Sequence, residues 1–200
     1  MKFYQEYLKK NGGVGMISSS EARNVIKNKH EFKGRKLYYD HRLFLLLKLP
    51  RNSVGAEIGV YIGDYAKRII KMTQPLELTL IDPWQDKHMY LSFLQTFIHE
   101  ISKSDTKVKV IRKTVEDAYI ENKIKNDYFD WVYLDTDHEL ESTRRQLKLC
   151  QKIVKPGGLI CGDDYDKDNW PHVITAVDEF VKDNGMIVKT KNRQFWIKNE

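Results

Sequence analysis

Short apolar runs alternate along this chain with longer segments whose apolar residues recur at helical spacing. The apolar runs predict seven strands, at residues 54–58, 77–82, 107–111, 129–135, 158–163, 186–190 and 194–198. The longer segments predict helices at residues 64–72, 88–103, 140–154 and 171–183. Strands that alternate with helices are typical of a parallel sheet covered on both faces. We therefore expect an α/β fold.

The last two predicted strands differ from the others in how they are connected. Only Lys191, Asn192 and Arg193 separate them. Parallel strands need a crossover of a dozen residues or more, so this link predicts an antiparallel hairpin. The expected sheet is thus seven-stranded, mostly parallel, and ends in a C-terminal hairpin.

Length and composition predict one main domain. The chain has 200 residues, of which 41% are hydrophobic, enough to bury a full core. We assign residues 51–200 to this domain. Residues 1–50 end in a leucine-rich stretch followed by Pro50, and we expect them to be a helical segment that caps the crevice of the sheet.

Positive charge is concentrated at the N-terminus. Residues 1–50 hold eleven Lys and Arg against four Asp and Glu, a net charge of +7, whereas the whole chain carries +6. The basic run at residues 27–42 can attract a phosphate on a substrate, a nucleic acid or an acidic partner. A solvated surface is an equally good interpretation. No known nucleic-acid-binding motif accompanies the run, which argues against nucleic acid without excluding it.

Cysteine usage and hydropathy bear on the cellular setting. Cys150 and Cys161 both lie in segments predicted to be buried, and no secretory signal opens the chain. These features predict a reducing, cytoplasmic environment. No apolar run approaches the length of a membrane span, so we expect a protein without membrane contact. Self-association into a homo-oligomer stays open.

Two neighbouring strand ends predict a cofactor site. The first strand runs into Glu57, Gly59 and Gly63, and the second ends on Asp82 about twenty residues later. Adjacent parallel strands bring these ends to one crevice, where the aspartate can accept both hydroxyls of a ribose. The glycine spacing is not that of a pyrophosphate loop, and Glu57 favours a cofactor with positive charge. The alternative is a plain strand-to-helix turn with Asp82 as a helix cap.

A second polar cluster follows two further strands. Asp135 ends one of them, and Asp163 and Asp164 end the next. Three carboxylates in one crevice repel one another unless a cation neutralises them, and carboxylate oxygens suit Mg²⁺. The cluster therefore predicts a divalent-metal site. Taken singly, each acid could instead cap a helix or face water.

The ordered motifs resemble those of class I S-adenosylmethionine-dependent methyltransferases. The chain is most similar to the metal-dependent small-molecule O-methyltransferases typified by macrocin O-methyltransferase, and the resemblance covers residues 53–198. The segments that carry it are AEIGVYIGDYA, LTLIDPW, FDWVYLDTDHELEST, LKLCQKIVKPGGLICGDDY and WPHVITAVDEFV. The resemblance implies a Rossmann-like methyltransferase fold and methyl transfer to a hydroxyl on a small molecule such as a sugar or a phenol.

The resemblance also implies roles for single residues at the cofactor. Glu57, Gly59 and Gly63 would flank the methionine part of S-adenosylmethionine, and Asp82 would hold its ribose. Glu116 or Asp117, in the segment TVEDA, would lie near the adenine.

On the acceptor side, the resemblance implies that Asp135, Asp163 and Asp164 ligate a divalent metal ion. Their oxygen ligands favour Mg²⁺ over other divalent cations. His138 would then act as the general base, since an unperturbed imidazole, with a pKa of about 6.5, can take a proton near neutral pH. The family often has Gly or Ala where this chain has Thr136, and a tyrosine near Leu140. These departures leave the acceptor open, and the basic N-terminus favours one with negative charge.

Two other functional classes stay in view. A nicotinamide-dependent oxidoreductase is disfavoured by the glycine spacing and by the terminal hairpin. A methyltransferase-like binding module without activity would use the basic N-terminus to hold nucleic acid or a protein partner. Retention of the full acidic set argues against this loss of activity.

Overall fold

The structure is a computed structural model that describes residues 14–17, 42–101 and 104–200. Its strands are β1 (Val14–Ile17), β2 (Val54–Ile58), β3 (Glu77–Ile81), β4 (Lys107–Ile111), β5 (Phe129–Leu134), β6 (Val154–Gly162), β7 (Val188–Lys191) and β8 (Gln194–Lys198). Its helices are α1 (Leu43–Leu46), α2 (Asp64–Thr73), α3 (Lys87–Ile101), α4 (Val115–Ile120), α5 (Leu140–Ile153) and α6 (Pro171–Asp183).

The strands form one sheet in the order β1-β4-β3-β2-β5-β6-β8-β7. The five strands from β4 to β6 are parallel, and β8 and β7 are antiparallel at one edge. All seven predicted strands form, which confirms the Rossmann-like methyltransferase fold. The reversal of strand order beside β2 brings the ends of β2, β3 and β5 to a common crevice.

An eighth strand lies outside the predicted seven. Residues 14–17 form β1, which pairs antiparallel with β4 and covers what would otherwise be an edge strand. The prediction of helix is wrong at these four residues. At residues 43–46 a short helix does form, residues 42 and 47–50 are not helical, and residues 1–13 and 18–41 of the predicted cap lie outside the described residues.

The terminal hairpin turns on two residues. Asn192 and Arg193 have φ of 54° and 65°, and Lys191 pairs with Gln194 across the turn. Two successive residues with positive φ are typical of a type I′ turn, whose twist matches that of the two strands. The predicted hairpin is therefore confirmed, with a link one residue shorter than expected.

The start of β6 is earlier than predicted. Residue 154 was expected to end a helix, and residues 155–157 to link it to the strand, yet all four belong to β6, which has an irregular register between Phe129 and Trp131 of β5. The N–H of Gly157 donates to Asn199 O at 2.6 Å, and the N–H of Asn199 donates to Gly158 O at 2.9 Å. Pairing with the chain end therefore extends the strand.

The core has two parts, one on each face of the sheet. On one face Trp131 of β5 packs in the same cluster as Ile69 of α2 and Phe93 of α3. On the other face Val132 packs with the buried residues of α5 and α6. Helices thus cover both faces, as the alternating pattern predicted. Among the described residues, no helix is both long enough and apolar enough to cross a membrane.

Gly59, directly after β2, is where two strand ends approach most closely. Its φ is +85°, and a Cβ added there would lie 1.7 Å from the carbonyl oxygen of Asp135. The glycine thus allows the backbones after β2 and β5 to pass each other, rather than only making room for a ligand as the sequence suggested. This approach brings the two loops of the crevice together.

We predict that Gly59→Ala lowers the free energy of unfolding by about 4 kcal/mol or more, because the methyl group meets backbone that cannot move aside. Gly185→Ala is the matched control. Gly185 also has positive φ, +65°, but a Cβ there would have nothing within 4 Å. The control should lose only the backbone cost of about 1 kcal/mol. Urea denaturation measures both values, and equal losses would show that the close approach carries no cost.

Candidate functional site

A cleft of about 1080 Å³ opens where β2, β3 and β5 end. It is lined by the loops after these strands and by the first turn of α4. Most of the predicted site residues line it, namely Glu57, Gly59, Asp82, Glu116, Asp117, Asp135 and His138. Gly63, Asp163 and Asp164 do not line it. The structure therefore places the predicted cofactor residues around one cavity, with the acidic cluster at its border.

Asp82 holds the loop that follows β2. Its Oδ2 accepts from the N–H groups of Val60 and Tyr61, at 2.8 and 2.9 Å, and its Oδ1 accepts from Trp84 N–H at 2.7 Å. A carboxylate can accept about four hydrogen bonds. Three are used within the protein, so one acceptor position on Oδ1 is left for a ligand. The aspartate both shapes the loop and keeps a limited capacity to bind.

Gly63 begins α2 rather than lining the cleft. It has φ of +81° at the N-cap position, and a Cβ there would lie 2.9 Å from the ring of Phe93. The glycine therefore lets α2 start tight against α3. Its predicted position beside the methionine of a cofactor stays a prediction.

Glu57 is a carboxyl group buried at the floor of the cleft. Its side chain is 1% exposed, and its Oε2 has no hydrogen-bond partner among the described residues. Burial, with Asp135 and Asp82 nearby, raises the pKa of Glu57 well above its ordinary value, although Arg42 opposes the shift. A buried acceptor without a partner is costly, and a positively charged ligand would satisfy it.

The first turn of α4 forms the far rim. Thr114 caps this helix by accepting from Asp117 N–H at 3.1 Å, and Glu116 lies 4.0 Å from Arg145 of α5. The sequence did not predict α4, because six residues are too few for a clear helical period. Glu116 and Asp117 are nevertheless placed on the cleft, as expected.

His138 lies between two of the predicted metal ligands. Its Nε2 is 2.7 Å from Asp164 Oδ2 and 3.4 Å from Asp135 Oδ1. These three side chains offer ligand atoms within 4.8 Å of one another, so they are a candidate metal centre. Asp163, predicted as the third carboxylate ligand, does not join this group.

Asp163 faces Arg42 instead. Arg42 Nε lies 3.4 Å from Asp163 Oδ2, and its Nη1 lies 3.3 Å from Asp135 Oδ2. Burial and the neighbouring Asp135 raise the pKa of Asp163, and Arg42 lowers it. Arg42 thus bridges two carboxylates at the ends of adjacent strands. Sequence reasoning gave this residue only a place in the basic run, because 93 residues separate it from Asp135.

A third positively charged side chain lies on the other side of the acidic cluster. Arg193, in the hairpin turn, lies 3.4 Å from Asp164 and 2.9 Å from Asp166. The ion pairs now form one series of alternating charge, in the order Asp163, Arg42, Asp135, His138, Asp164, Arg193, Asp166. We expected that a divalent cation was needed to offset the repulsion. That argument is wrong, because side chains of the protein already do so.

His138 has a strained backbone conformation and a raised side-chain pKa. Its φ is +62°, that of Asp164 is +60°, and its ring stacks on Trp170 with centroids 4.2 Å apart. Burial disfavours the imidazolium, but Asp135 and Asp164 outweigh it and raise the pKa of His138 to about 9. The expected pKa near 6.5 is therefore wrong for this environment. Positive φ in non-glycine residues persists where the surroundings enforce it, often at functional sites.

A protein-family comparison identifies the sequence pattern. The profile described as a methyltransferase domain matches residues 56–165, which include the cleft loops and the acidic cluster. No curated protein matches the chain.

Solved structures share the fold at low identity. CalS11, a TDP-rhamnose 3′-O-methyltransferase in calicheamicin biosynthesis, superposes with a TM-score of 0.55 at 17% identity, over 78% of this chain and 75% of that one. A methyltransferase from Pyrococcus furiosus gives 0.58 at 15% identity, over 100% and 99%. An O-methyltransferase family protein from Burkholderia thailandensis gives 0.55 at 14% identity, over 78% and 53%. At these identities the likeness shows a common fold.

We predict that NMR titration of the metal-free protein gives His138 a pKa of about 9, and that Asp164→Asn lowers it, because the closest carboxylate is removed. Asp137→Asn is the control, since Asp137 is adjacent in sequence but accepts from Glu139 N–H instead. The folded pKa exceeds the ordinary 6.5, so the pairs stabilise the fold fully below pH 6.5 and lose this effect as the pH rises through about 9. An equal drop in both variants would contradict this assignment.

Proposed function

The chain belongs to a methyltransferase domain family and is an S-adenosylmethionine-dependent methyltransferase, and from this premise we propose that it methylates a hydroxyl of a small molecule with the assistance of a divalent cation. The acceptor we propose carries negative charge, as a nucleotide-linked or phosphorylated sugar does. The basic run at residues 27–42 supports this choice, although only Arg42 of the run is described. CalS11 is a TDP-rhamnose 3′-O-methyltransferase, so its acceptor is also a sugar attached to a nucleotide.

Glu57 carries the proposal for the donor end of the cleft. Its buried Oε2 lacks a partner, and the ammonium or sulfonium of S-adenosylmethionine would supply positive charge next to it. A pyrophosphate would instead be repelled. This contrast disfavours NAD, in agreement with the glycine spacing that the sequence shows.

Asp82 and the rim of α4 complete the proposed donor site. The remaining acceptor position of Asp82 is suited to a ribose hydroxyl, and Glu116 and Asp117 lie on the far rim, where we place the adenine. Since three backbone N–H groups already bind Asp82, its removal should loosen the loop after β2 as well as remove a contact.

Asp135 and Asp164 fit the proposed cation. They provide carboxylate oxygens on either side of His138, and hard divalent cations such as Mg²⁺ prefer oxygen ligands. A cation bound there would supply Lewis acidity toward the acceptor hydroxyl. We assign His138 the role of base rather than ligand, because its Nε2 already contacts both carboxylates that would stabilise a proton on it.

The proposed reaction needs little from the protein beyond binding, orientation and proton removal. The acceptor oxygen attacks the methyl carbon, the carbon–sulfur bond breaks, and sulfur keeps the electron pair as S-adenosylhomocysteine forms. The hydroxyl proton passes to Nε2 of His138 in its deprotonated form, which a cation held by Asp135 and Asp164 would favour by offsetting the two carboxylates that raise the pKa of His138. Trp170, stacked on the imidazole, restricts the ring orientation during this transfer.

We predict that calorimetry detects binding of S-adenosylmethionine, and that Glu57→Gln weakens it about tenfold while Asp82→Ala weakens it about 100-fold, since charge-assisted contacts of 1.5–3 kcal/mol are lost. Asp86→Ala is the matched control. Asp86 lies four residues after Asp82 and caps α3 outside the cleft, so donor affinity should stay within about twofold. Tighter binding of NAD than of S-adenosylmethionine would refute the donor assignment.

The acceptor and metal roles are tested by radiolabelled methyl transfer to sugar nucleotides, free sugars and phenols. We expect turnover with an anionic sugar to stop in excess chelator and to return with Mg²⁺ or Mn²⁺. Asp164→Asn should lose both Mn²⁺ binding and turnover. His138→Ala should lower kcat about 100-fold, within the range for general base catalysis, and keep its Mn²⁺ affinity.

Two results would count against this scheme. Full activity in chelator would place the chain among metal-independent methyltransferases. Loss of Mn²⁺ affinity in His138→Ala, as large as that in Asp164→Asn, would make the histidine a ligand. A preparation that binds the donor but methylates none of these acceptors would instead favour the binding-module alternative.

A further inference from the structure

We infer that Arg42 is a positioning residue that sets the affinity and composition of the metal site, by holding Asp163 out of it and neutralising one oxygen of Asp135. The inference rests on the proposed cation at Asp135 and Asp164, and it concerns a residue from the segment that precedes the methyltransferase domain. Arg42 acts through the carboxylates and need not contact the acceptor.

The two carboxylate oxygens of Asp135 face two different side chains. Its Oδ2 faces Arg42 at 3.3 Å, and its Oδ1 faces His138 at 3.4 Å. His138, which Oδ1 faces, also contacts Asp164 and belongs with it to the candidate metal centre. A guanidinium at this distance offsets much of the carboxylate charge, which reduces the attraction of Asp135 for a second cation.

The same guanidinium determines where Asp163 lies. Asp163 is 5% exposed, and its Oδ2 is 3.4 Å from Arg42 Nε. Although it directly precedes Asp164 in the chain, it does not belong to the group of three that could hold a metal. Arg42 uses two separate nitrogens of one planar guanidinium for the two carboxylates, whereas lysine has a single ammonium nitrogen on a flexible stem.

Arg42 is itself fixed from several sides. Its guanidinium lies over the ring of Tyr65, 4.9 Å from the centroid, and the Tyr65 hydroxyl donates to Arg42 O at 3.3 Å. Gln194 contacts the Tyr65 hydroxyl and accepts from Leu45 N–H, so the hairpin also holds α1 in place. These contacts fix the position of Arg42, so its bridge between Asp135 and Asp163 is part of the folded structure.

The test is a double-mutant cycle in which the affinity for Mn²⁺ is measured by electron paramagnetic resonance. In the otherwise unchanged protein, Asp163→Asn should alter Mn²⁺ affinity less than about threefold, whereas Arg42→Gln should tighten it about tenfold or more. Adding Asp163→Asn to Arg42→Gln should remove most of that gain, because the released carboxylate would then be a ligand. Near-ultraviolet circular dichroism, measured alongside, should stay constant and so confirm that the variants are folded.

Arg51→Gln is the control for net charge. Arg51 is exposed and lies before β2, at the opposite end of the sheet from the cleft, lining a separate cavity. It should leave Mn²⁺ affinity unchanged. Should Arg42→Gln fail to fold, Arg42→Lys keeps the charge but offers one nitrogen in place of the two that contact Asp135 and Asp163, so Asp163→Asn should weaken Mn²⁺ binding in that background.

The outcomes separate this inference from the proposed function. If Asp164→Asn abolishes Mn²⁺ binding but Arg42→Gln behaves like Arg51→Gln, the role of Arg42 is refuted while the metal site stands. If only Arg42→Gln binds Mn²⁺, the inference holds and metal assistance in the natural chain fails. An equal loss of affinity from Asp163→Asn and Asp164→Asn would show that Asp163 is already a ligand, and would overturn the inference.

Discussion

Alternating charge at the carboxyl ends of β5 and β6 is the interaction on which the site depends. Asp135, Asp163 and Asp164 lie close together because Arg42, His138 and Arg193 lie between and beside them. Each cation comes from a different segment, namely the start of α1, the loop after β5 and the hairpin turn. Removing any one of them takes a positive charge away from partly buried carboxylates and so weakens the whole series. The same charges tie the N-terminal segment and the hairpin to the centre of the sheet.

The two halves of the cleft are built on different principles. At the proposed donor end, one carboxylate, Asp82, orders the loop through backbone N–H groups, and another, Glu57, is buried with an oxygen that has no partner among the described residues. This arrangement suits a ligand with positive charge. At the proposed acceptor end, cations and carboxylates already balance one another, so a ligand must exchange for existing contacts.

Much of the fold could be predicted because periodicity and burial act locally. The alternation of strands and helices and the short hairpin link both confirm expectations taken from the sequence. The errors have physical causes. Helix α4 is too short to show a period, and β1 and the first residues of β6 are strands only because distant partners pair with them. Pairing of this kind has no signature within the segment itself.

By itself, the sequence determined which residue types stand at the strand ends, and therefore that Glu57, Asp82, Asp135 and His138 would share one cavity. Topology requires this result, since parallel strands end at a common edge. Only the tertiary structure decided how the charges are divided. It placed Arg42 against Asp135 and Asp163, and it raised the pKa of His138 to about 9 through carboxylates on either side. Coulombic and desolvation effects depend on distances of a few ångströms between segments far apart in the chain, and no spacing in the sequence records those distances.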